Sequence, residues 1–507
     1  MTERGPFNSD LVAYTIRRVS GARGRGAEDE GMGCGEICGD MKLQLENLDG
    51  FPRLERVIAS PSSPPRKPPK LPANLPPSIT LVELPLPRVH GLPDSAESTS
   101  ELLHNMVPYL KKAYDMLEPA VAEFLANSDV DWVIQDFMSF WLPQKARRLG
   151  VKSAFFCILS ASTLVFGGPP SLLIDSQVRA KAAEDLTVVP QWVTYPTKVA
   201  FRLHEVINEE DMVDSDTNMS VFERLGRLIQ GCEIVATRTC SEFEAEPLSL
   251  LKKLYGRAVV PMGLLPPQNK SRHEGDGRWS ELKQWLDDRE EKSVFYIALG
   301  TEVALSQELM HELACGIEKS GLPFVWVVGR KAGPGSIPSS FESRVSGRGF
   351  VWVGWAPQLD ILAHPSVGGF LTHCGWSSVI EALGQGRALI LFSEGHSDQG
   401  LVARLMDERR VGSEVPRNDR DGSFTGDSVA KTIRRVMVEP EGEELRANAW
   451  AMREIFGNVE LQHKYLEEFA QAEHPPTLNY HFNSGINIAA VPFLMADEWM
   501  NLGHNLQ

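Results

Sequence analysis

The sequence predicts an α/β protein made of two doubly wound, Rossmann-like domains that leave a cleft between them. From residue 79 onward, short apolar runs alternate with longer amphipathic stretches, as in a parallel sheet with crossover helices. A polar stretch at residues 266–278 interrupts this alternation and has the composition of an interdomain linker. At 507 residues, the chain is also too long to fold around a single core. We therefore expect one domain on each side of the linker.

The predicted first domain covers residues 54–265. Residues 1–53 are rich in Gly, Arg, Glu and Asp, so we expect a poorly ordered terminus there. The many prolines of residues 60–77 exclude a helix or a central strand and predict a loop. Apolar runs then predict the regular elements of this domain, which are strands 79–84, 132–134, 153–159, 234–237 and 258–260 and a helix at 105–125.

The predicted second domain covers residues 279–472 and repeats the same alternation. Its predicted elements are strand 293–299, a helix from Ser306, strands 324–328 and 350–353, and a further strand and helix around residues 368–386. Residues 473–507 carry scattered aromatic residues without a comparable pattern, so we treat them as an appended tail.

Composition excludes several classes of partner. The net charge of −16 repels nucleic acids and anionic lipid, and no dense Lys/Arg tract follows the first thirty residues. The N-terminus lacks an apolar leader, and the longest apolar stretch, residues 154–168, is too short for a bilayer and predicts a buried strand followed by the start of a helix. Seven scattered cysteines indicate a reducing compartment, so we expect a cytoplasmic protein without stable membrane insertion. Cys34 and Cys38 have no neighbouring Cys or His to complete a metal site.

The strongest candidate for a ligand site is a strand-to-helix turn at residues 368–378. Ligands of doubly wound sheets lie beyond the carboxyl ends of the strands, and here an apolar strand and a glycine turn lead into a short helix. The free N–H groups at the start of such a helix can hold a diphosphate without a metal, with His373, Ser377 and Ser378 as further donors. The spacing Ser378-x-x-Glu381 also fits a plain capping box, which any well-capped helix can contain.

The sequence around this turn resembles the signature box of plant UDP-glycosyltransferases. The matching residues are Trp355-Ala356-Pro357-Gln358, His373-Cys374-Gly375-Trp376, Glu381 and Asp398-Gln399. The resemblance runs from about residue 72 to residue 472, includes Ala298-Leu299-Gly300-Thr301-Glu302, and is closest to the branch that adds sugars to flavonoid or terpenoid glycosides. It implies the GT-B architecture of that family and a UDP-sugar as co-substrate, with no other cofactor and no metal.

The resemblance assigns four residues to the nucleoside. Trp355 would stack on the uracil, because an indole offers a large flat face to a base. Ala356 and Gln358 would border the base, and Glu381 would accept hydrogens from the ribose hydroxyls. Taken singly, Trp355 also fits a core aromatic and Glu381 a helix cap.

A second group would surround the phosphates and the sugar. The residues implied at the phosphates are Thr301, His373, Gly375, Ser377 and Ser378, with Trp376 close by, and those at the sugar hydroxyls are Asp398 and Gln399. Ser377 stands where the family usually has Asn, and the stretch between Gly386 and Asp398 is one residue longer than usual. The extra residue either displaces Asp398 from the sugar or is absorbed by the loop, so the identity of the sugar stays open.

Inverting transfer to an acceptor hydroxyl needs a general base, and the family's base is absent from its usual place. The resemblance implies a His in a Gly-His-x-x-Pro turn after the first strand, but no such turn occurs, and His90 and His104 fall in predicted loops. Asp136, after the strand at 132–134, fits the acid that orients this His and fits a helix cap equally well. We therefore expect either that the first strand and helix of the family are missing or replaced, or that the start given for the chain is not its true start. Residues 11–16 are a poor substitute because Arg-Arg follows them.

Three functions are compatible with these observations. The first is an enzyme that moves a sugar from a UDP-sugar to a hydroxyl of a small acceptor, such as a flavonoid or terpenoid glycoside. The second is a UDP-sugar-binding protein that lacks the base and does not activate an acceptor. The third is a two-domain nucleotide-sugar epimerase, which the Trp355 box argues against.

Overall fold

The part of the chain that the structure describes forms two separate parallel β-sheets, each covered by helices. The structure is a computed structural model, and it describes residues 54–60, 79–93, 96, 102, 106–175, 182–206, 219–267, 277–300, 305–329, 337–393, 398–470 and 488–491. The two-sheet α/β pattern confirms the predicted fold class. Within these ranges, no helix is both long enough and apolar enough to cross a bilayer.

The strands and helices are numbered here along the chain. The strands are β1 (Leu54–Ser60), β2 (Ile79–Pro85), β3 (Trp132–Gln135), β4 (Lys152–Cys157), β5 (Ile234–Thr237), β6 (Ala258–Pro261), β7 (Val294–Ala298), β8 (Phe324–Val328), β9 (Gly349–Val353), β10 (Val367–Thr372), β11 (Ala388–Leu391), β12 (Gly412–Glu414) and β13 (Ile488–Val491). The helices are α1 (Val107–Asp115), α2 (Glu118–Ala126), α3 (Leu142–Arg148), α4 (Ala161–Gly167), α5 (Pro170–Ile174), α6 (Val221–Gly231), α7 (Ser241–Tyr255), α8 (Gly277–Asp287), α9 (Gln307–Ser320), α10 (Phe341–Arg344), α11 (Gln358–Ala363), α12 (Trp376–Gly384), α13 (Gln399–Glu408), α14 (Gly426–Met437), α15 (Glu443–Ala451), α16 (Arg453–Phe456) and α17 (Val459–Ala470). Short 3-10 helices lie at Ala183–Thr187, Leu203–Glu205 and Pro440–Gly442.

The first sheet has the strand order β2-β1-β13-β3-β4-β5-β6. The chain builds it outward in two directions, from β1 to β2 on one side and from β3 to β6 on the other. The strand between these two halves is β13, which follows the whole second domain in sequence and pairs in parallel with both β1 and β3. A segment from the predicted tail thus fills an inner position of the first sheet, which the sequence pattern did not indicate.

The second sheet has the order β12-β11-β10-β7-β8-β9. It also winds in two directions, from β7 outward to β9 and then from β10 outward to β12. Its switch point therefore lies between β7 and β10, which pair in parallel, with Thr372 opposite Ala298. In doubly wound sheets, the crevice at this point is the usual ligand site.

Most predicted elements are present with small shifts at their ends, and one differs. The predicted helix at 105–125 is two helices, α1 and α2, because Pro119 lies in the first turn of α2, where it has no N–H to continue the helix ladder. The apolar stretch 154–168 is a buried strand followed by a helix, as expected, and Ser160 caps that helix by accepting from the N–H of Thr163.

The two domains share a continuous apolar core. Phe166, Phe201 and Phe243 of the first domain belong to the same buried cluster as the strands of the second. At this interface, the ring of Trp376 stacks on Phe243 at 6.1 Å between ring centroids and meets Phe456 edge-on at 6.2 Å. The start of α12 is thereby fixed against the first domain.

Candidate active site

The candidate site lies at the switch point of the second sheet, where β7 and β10 end side by side. Gly300 follows β7 with φ +83°, and a Cβ at this position would lie 3.3 Å from the ring of His373, which follows β10. Glycine is therefore needed both for its backbone conformation and for the close approach of the imidazole. Thr301, the next residue and a predicted phosphate ligand, lies outside the described residues.

The turn between β10 and α12 has an unusual backbone. Cys374 has φ +71°, which is uncommon for a residue with a side chain, and such strain is often found at functional sites. The conformation is held because the Cys374 N–H donates to Thr372 Oγ1 at 3.1 Å and the thiol is fully buried. Local interactions therefore hold this turn in the shape that starts α12.

Helix α12 begins without a side-chain cap. Its N-cap is Gly375, and no side chain accepts a hydrogen bond there. Ser377 and Ser378 lie inside the first turn rather than at the cap, so Ser378 and Glu381 do not form the alternative capping box. The N–H groups of this first turn have no intrahelical partner, which makes the helix start suitable for an anion.

His373 is buried beside this helix start. The side chain is 8% exposed, and burial lowers its pKa to about 4, despite a hydrogen bond to the Ala298 carbonyl that raises it. The imidazole is therefore neutral at physiological pH. Its Nδ1 is buried and has no hydrogen-bond partner among the described residues, so a polar atom is available beside the first turn of α12.

Three further predicted residues meet at one side of α12. Gln358, the first residue of α11, donates through Nε2 to Glu381 Oε2 at 2.7 Å and to Ser378 Oγ at 3.3 Å. The hydroxyl of Tyr296, on β7, donates to Gln358 Oε1 at 3.4 Å. Glu381 is 7% exposed, and burial of Tyr296 together with the charge of Glu381 raises the pKa of that tyrosine. The Glu381 carboxylate and the Gln358 amide are thus held in a fixed orientation next to the uncapped start of α12.

Trp355 and Ala356 lie just before α11. Trp355 is half-buried, and its backbone carbonyl accepts from Trp352 Nε1 at 2.6 Å, while Ala356 is buried. By contrast, the ring of Trp376 is committed to the interdomain core, where Nε1 donates to the Arg238 carbonyl at 2.9 Å. Of the two predicted tryptophans, Trp355 is thus half-buried and Trp376 is buried.

Asp398 and Gln399 lie at the start of α13, with Asp398 at the N-cap and both side chains buried. Burial, with a smaller contribution from the charge of Asp398, raises the pKa of the Cys157 thiol at the end of β4 to about 12. The charge of Asp398 thus acts on a residue of the first domain. Residues 394–397, which contain the loop with the extra residue, lie outside the described part of the chain.

Asp136 directly follows β3 and is 7% exposed. Its Oδ1 accepts from the N–H of Met138 at 3.0 Å, and α3 begins only at Leu142, so this carboxylate caps a turn rather than a helix. On the neighbouring strand, Val491 of β13 pairs with Gln135. His90 is exposed in a turn, and His104 lies outside the described residues.

Two contacts that sequence reasoning missed join the first domain to this site. Arg238, after β5, donates to Ser377 Oγ at 2.7 Å across 139 positions of sequence. Glu205 accepts from Ser393 Oγ at 2.6 Å and forms a buried ion pair with Arg404 on α13. No local pattern marks either pair, because each partner belongs to a different domain.

Comparison with known proteins identifies the family. The family model "UDP-glucoronosyl and UDP-glucosyl transferase" matches residues 272–440. The chain is 44% identical over 426 residues to UDP-glycosyltransferase 91C1 of Arabidopsis thaliana, which covers 84% of this chain and 88% of that relative. The chain belongs to the plant UDP-glycosyltransferase family. This glycosyltransferase is also 39% identical to the soyasaponin III rhamnosyltransferase of Glycine max, over 78% of the chain and 84% of the relative.

The fold of this UDP-glycosyltransferase is also that of solved plant enzymes. A UGT transferase from Siraitia grosvenorii in complex with UDP matches with a TM-score of 0.68 at 22% identity, covering 87% of this chain and 97% of that one. The predicted GT-B architecture and the predicted family are thus confirmed. The roles of the individual site residues stay predictions.

Proposed function

We propose that this glycosyltransferase moves a sugar, with inversion, from a UDP-sugar to a hydroxyl of a small plant secondary metabolite or its glycoside, in the flavonoid or terpenoid class. The observation that carries the proposal is the uncapped start of α12, which lies at the switch point of the second sheet beside the buried His373. The acceptor class is supported by the name of the soybean relative, a rhamnosyltransferase of soyasaponin III.

The donor would lie along α11, α12 and α13. Its diphosphate would accept from the first-turn N–H groups of α12 and from the hydroxyls of Ser377 and Ser378, so that backbone donors replace a metal. The ribose hydroxyls would donate to Glu381, whose carboxylate Gln358 already holds in place at 2.7 Å. Trp355 would cover the uracil, and Asp398 and Gln399 would bind the sugar.

The same donors would assist the chemical step. As the acceptor oxygen attacks the anomeric carbon, the bond to the diphosphate breaks and negative charge grows on the departing UDP. The helix start and the two hydroxyls would face that charge, so they would stabilise it with little reorganisation. Inversion follows because the acceptor attacks from the face opposite the leaving group.

The presence of a general base distinguishes an active enzyme from the alternative, a UDP-sugar-binding protein that has lost its activity. Asp136 directly follows β3, and β13, which lies between β1 and β3, takes the inner position that the family gives to its first strand. The family's His follows that first strand, and the His that follows β13 in this sequence is His504, preceded by Gly503. We propose His504 as the first candidate for the base and Asp136 as the acid that orients it.

One experiment tests both parts of this proposal. We expect UDP to raise the melting temperature of the full-length protein, and we expect UDP release when a UDP-sugar and a panel of flavonoid and terpenoid glycosides are supplied. His504→Gln and Asp136→Asn should abolish or strongly slow that release and leave the UDP-induced stabilisation unchanged, whereas His90→Gln should change neither.

Each outcome of this experiment has a distinct meaning. Stabilisation by UDP without release under any condition would support the binding-only alternative. Absence of stabilisation would contradict the donor site itself. Unchanged release in His504→Gln would exclude that residue as the base.

A further inference from the structure

Arg238 is a buried cation that connects the first domain to the helix start of the second. It follows β5 directly and is 0% exposed. Its Nε donates to the Leu264 carbonyl at 2.7 Å and one terminal nitrogen donates to the Leu265 carbonyl at 3.1 Å. The other terminal nitrogen donates to Ser377 Oγ at 2.7 Å. The guanidinium is therefore held rigidly by the first domain and points one edge at α12.

The direction of this hydrogen bond fixes what the Ser377 hydroxyl can do. A guanidinium has only donors, so Ser377 Oγ must accept from Arg238. The single hydrogen of the hydroxyl is then left for another acceptor. Because Ser377 lies in the first turn of the uncapped helix α12, an anion bound at that helix start is a suitable acceptor for this hydrogen.

We infer that Arg238 is a positioning residue for the diphosphate, and that it lets Ser377 serve where the family usually has Asn. The inference rests on the proposed donor site. An Asn amide has both an acceptor and donors, so it can present a donor to phosphate without help, whereas a lone hydroxyl rotates freely. The hydrogen bond from Arg238 restricts the rotation of the Ser377 hydroxyl. Arg238 also adds a positive charge near the diphosphate, in a protein whose net charge is −16.

The position of Arg238 also links donor binding to the arrangement of the domains. Leu264 and Leu265 lie at the end of the first domain, just before the residues that lead into α8 of the second. Nearby, Trp376 Nε1 donates back to the Arg238 carbonyl at 2.9 Å, so the contact is reciprocal. The phosphate end of the site is complete only when the two domains adopt this arrangement.

Calorimetric titration of the full-length protein with UDP and with uridine tests the inference. The ratio of the two affinities isolates the contribution of the phosphates. We expect Arg238→Gln to reduce this ratio about tenfold or more, because a hydrogen bond next to a charged group is lost. Ser377→Ala should reduce it similarly, and the double variant should lose no more than either single one, since the two residues act as a unit.

Two further variants separate this role from a structural one. Ser377→Asn, which introduces the family's usual residue, should restore much of the ratio that Arg238→Gln loses when the two changes are combined, because the Asn amide presents a donor without help. Arg409→Gln is the matched control, because Arg409 also joins the domains, donating to the Phe243 carbonyl at 2.9 Å from the far end of α13. It should leave the ratio unchanged.

The inference is overturned if Arg238→Gln keeps the wild-type ratio, or weakens UDP and uridine by the same factor. If Arg238→Gln does not fold, Ser377→Ala tests the inference instead. An unchanged ratio of the UDP and uridine affinities in Ser377→Ala then overturns it. A wild-type protein that binds neither ligand would overturn the proposed function together with it. Wild-type binding with unaffected variants would overturn the inference alone.

Discussion

His373 is a buried polar side chain that makes the stability of the protein depend on pH. Burial lowers its pKa to about 4, whereas histidine in an unfolded chain titrates near 6.5. As the pH falls, the unfolded chain therefore takes up this proton first, and the folded state is disfavoured. We expect His373 to cost no stability by protonation above about pH 6.5. By about pH 4, the proton bound by the unfolded chain should have lowered the free energy of unfolding by about 3 kcal/mol.

Denaturant titrations between neutral pH and about pH 4 measure this effect. His373→Gln should lose less stability over that range than the wild type does. His311→Gln, on the exposed side of α9, is the matched control and should follow the wild-type pH dependence. An equal loss in His373→Gln and the wild type would show that this imidazole is not the group that titrates.

The residues of the site differ in how far the sequence could predict them. Gln358 and Glu381 were predicted from one local signature, and the structure holds their side chains 2.7 Å apart. Arg238 was not predicted, because its contact with Ser377 depends on how two separately folded sheets meet. A signature of neighbouring residues reports the local turn, whereas an interdomain contact depends on the whole fold.

At the scale of elements, local patterns predicted most strands, because buried parallel strands are short apolar runs bounded by turns. The break between α1 and α2 was missed, although Pro119 marks it. Strand β13 was missed for a different reason. Its four residues carry no periodicity of their own, and they pair with β1 and β3, which are far away in sequence.

The inner position of β13 makes an element-scale prediction. Ala490 pairs with Arg56 on one side and with Ile134 on the other. Proline is excluded from inner strands because it cannot donate to the ladder, so we expect Ala490→Pro to lower the unfolding free energy by roughly 1–3 kcal/mol or more. Thermal and denaturant unfolding of the full-length protein measure the loss.

Ser484→Pro is the control for this substitution. It introduces the same residue before the strand, at a position outside the described residues, and should be much less damaging. If both prolines have equally small effects, β13 does not stabilise the first sheet. If Ala490→Pro alone is damaging, the tail is part of the first domain's core, because without β13 the edges of β1 and β3 are left unpaired.

At the scale of the whole molecule, Glu205 and Arg404 connect the two domains electrostatically. Burial alone would raise the pKa of the Glu205 carboxyl, but the charge of Arg404 and hydrogen bonds from Ser393 and Arg202 outweigh it and lower the pKa. The carboxylate thus contributes stability above its unfolded pKa, and this contribution is lost as the pH falls through the lowered folded value. Because Ser393 and Arg404 flank the segment that leads to Asp398, the pair also helps to hold the part of the site that we propose binds the sugar.

We expect Glu205→Gln to cost about 3–5 kcal/mol, since it leaves a buried arginine without its full partner. Calorimetric unfolding should then show the two domains melting at more separated temperatures. Glu444→Gln breaks the exposed pair with Arg410 within the second domain and should leave the profile unchanged. A wild-type profile in Glu205→Gln would mean that the apolar interface alone couples the domains.

The place of β13 in the chain has a consequence for biosynthesis. A ribosome completes β1 and β3 early, but it must translate residues 136–487 before β13 exists. At ordinary elongation rates, this leaves the nascent first domain with a gap in its sheet for roughly 20–70 s. Throughout that interval two strand edges can pair with other emerging polypeptides, so molecular chaperones should have more influence on the yield of this protein than on one whose first domain closes as it leaves the ribosome.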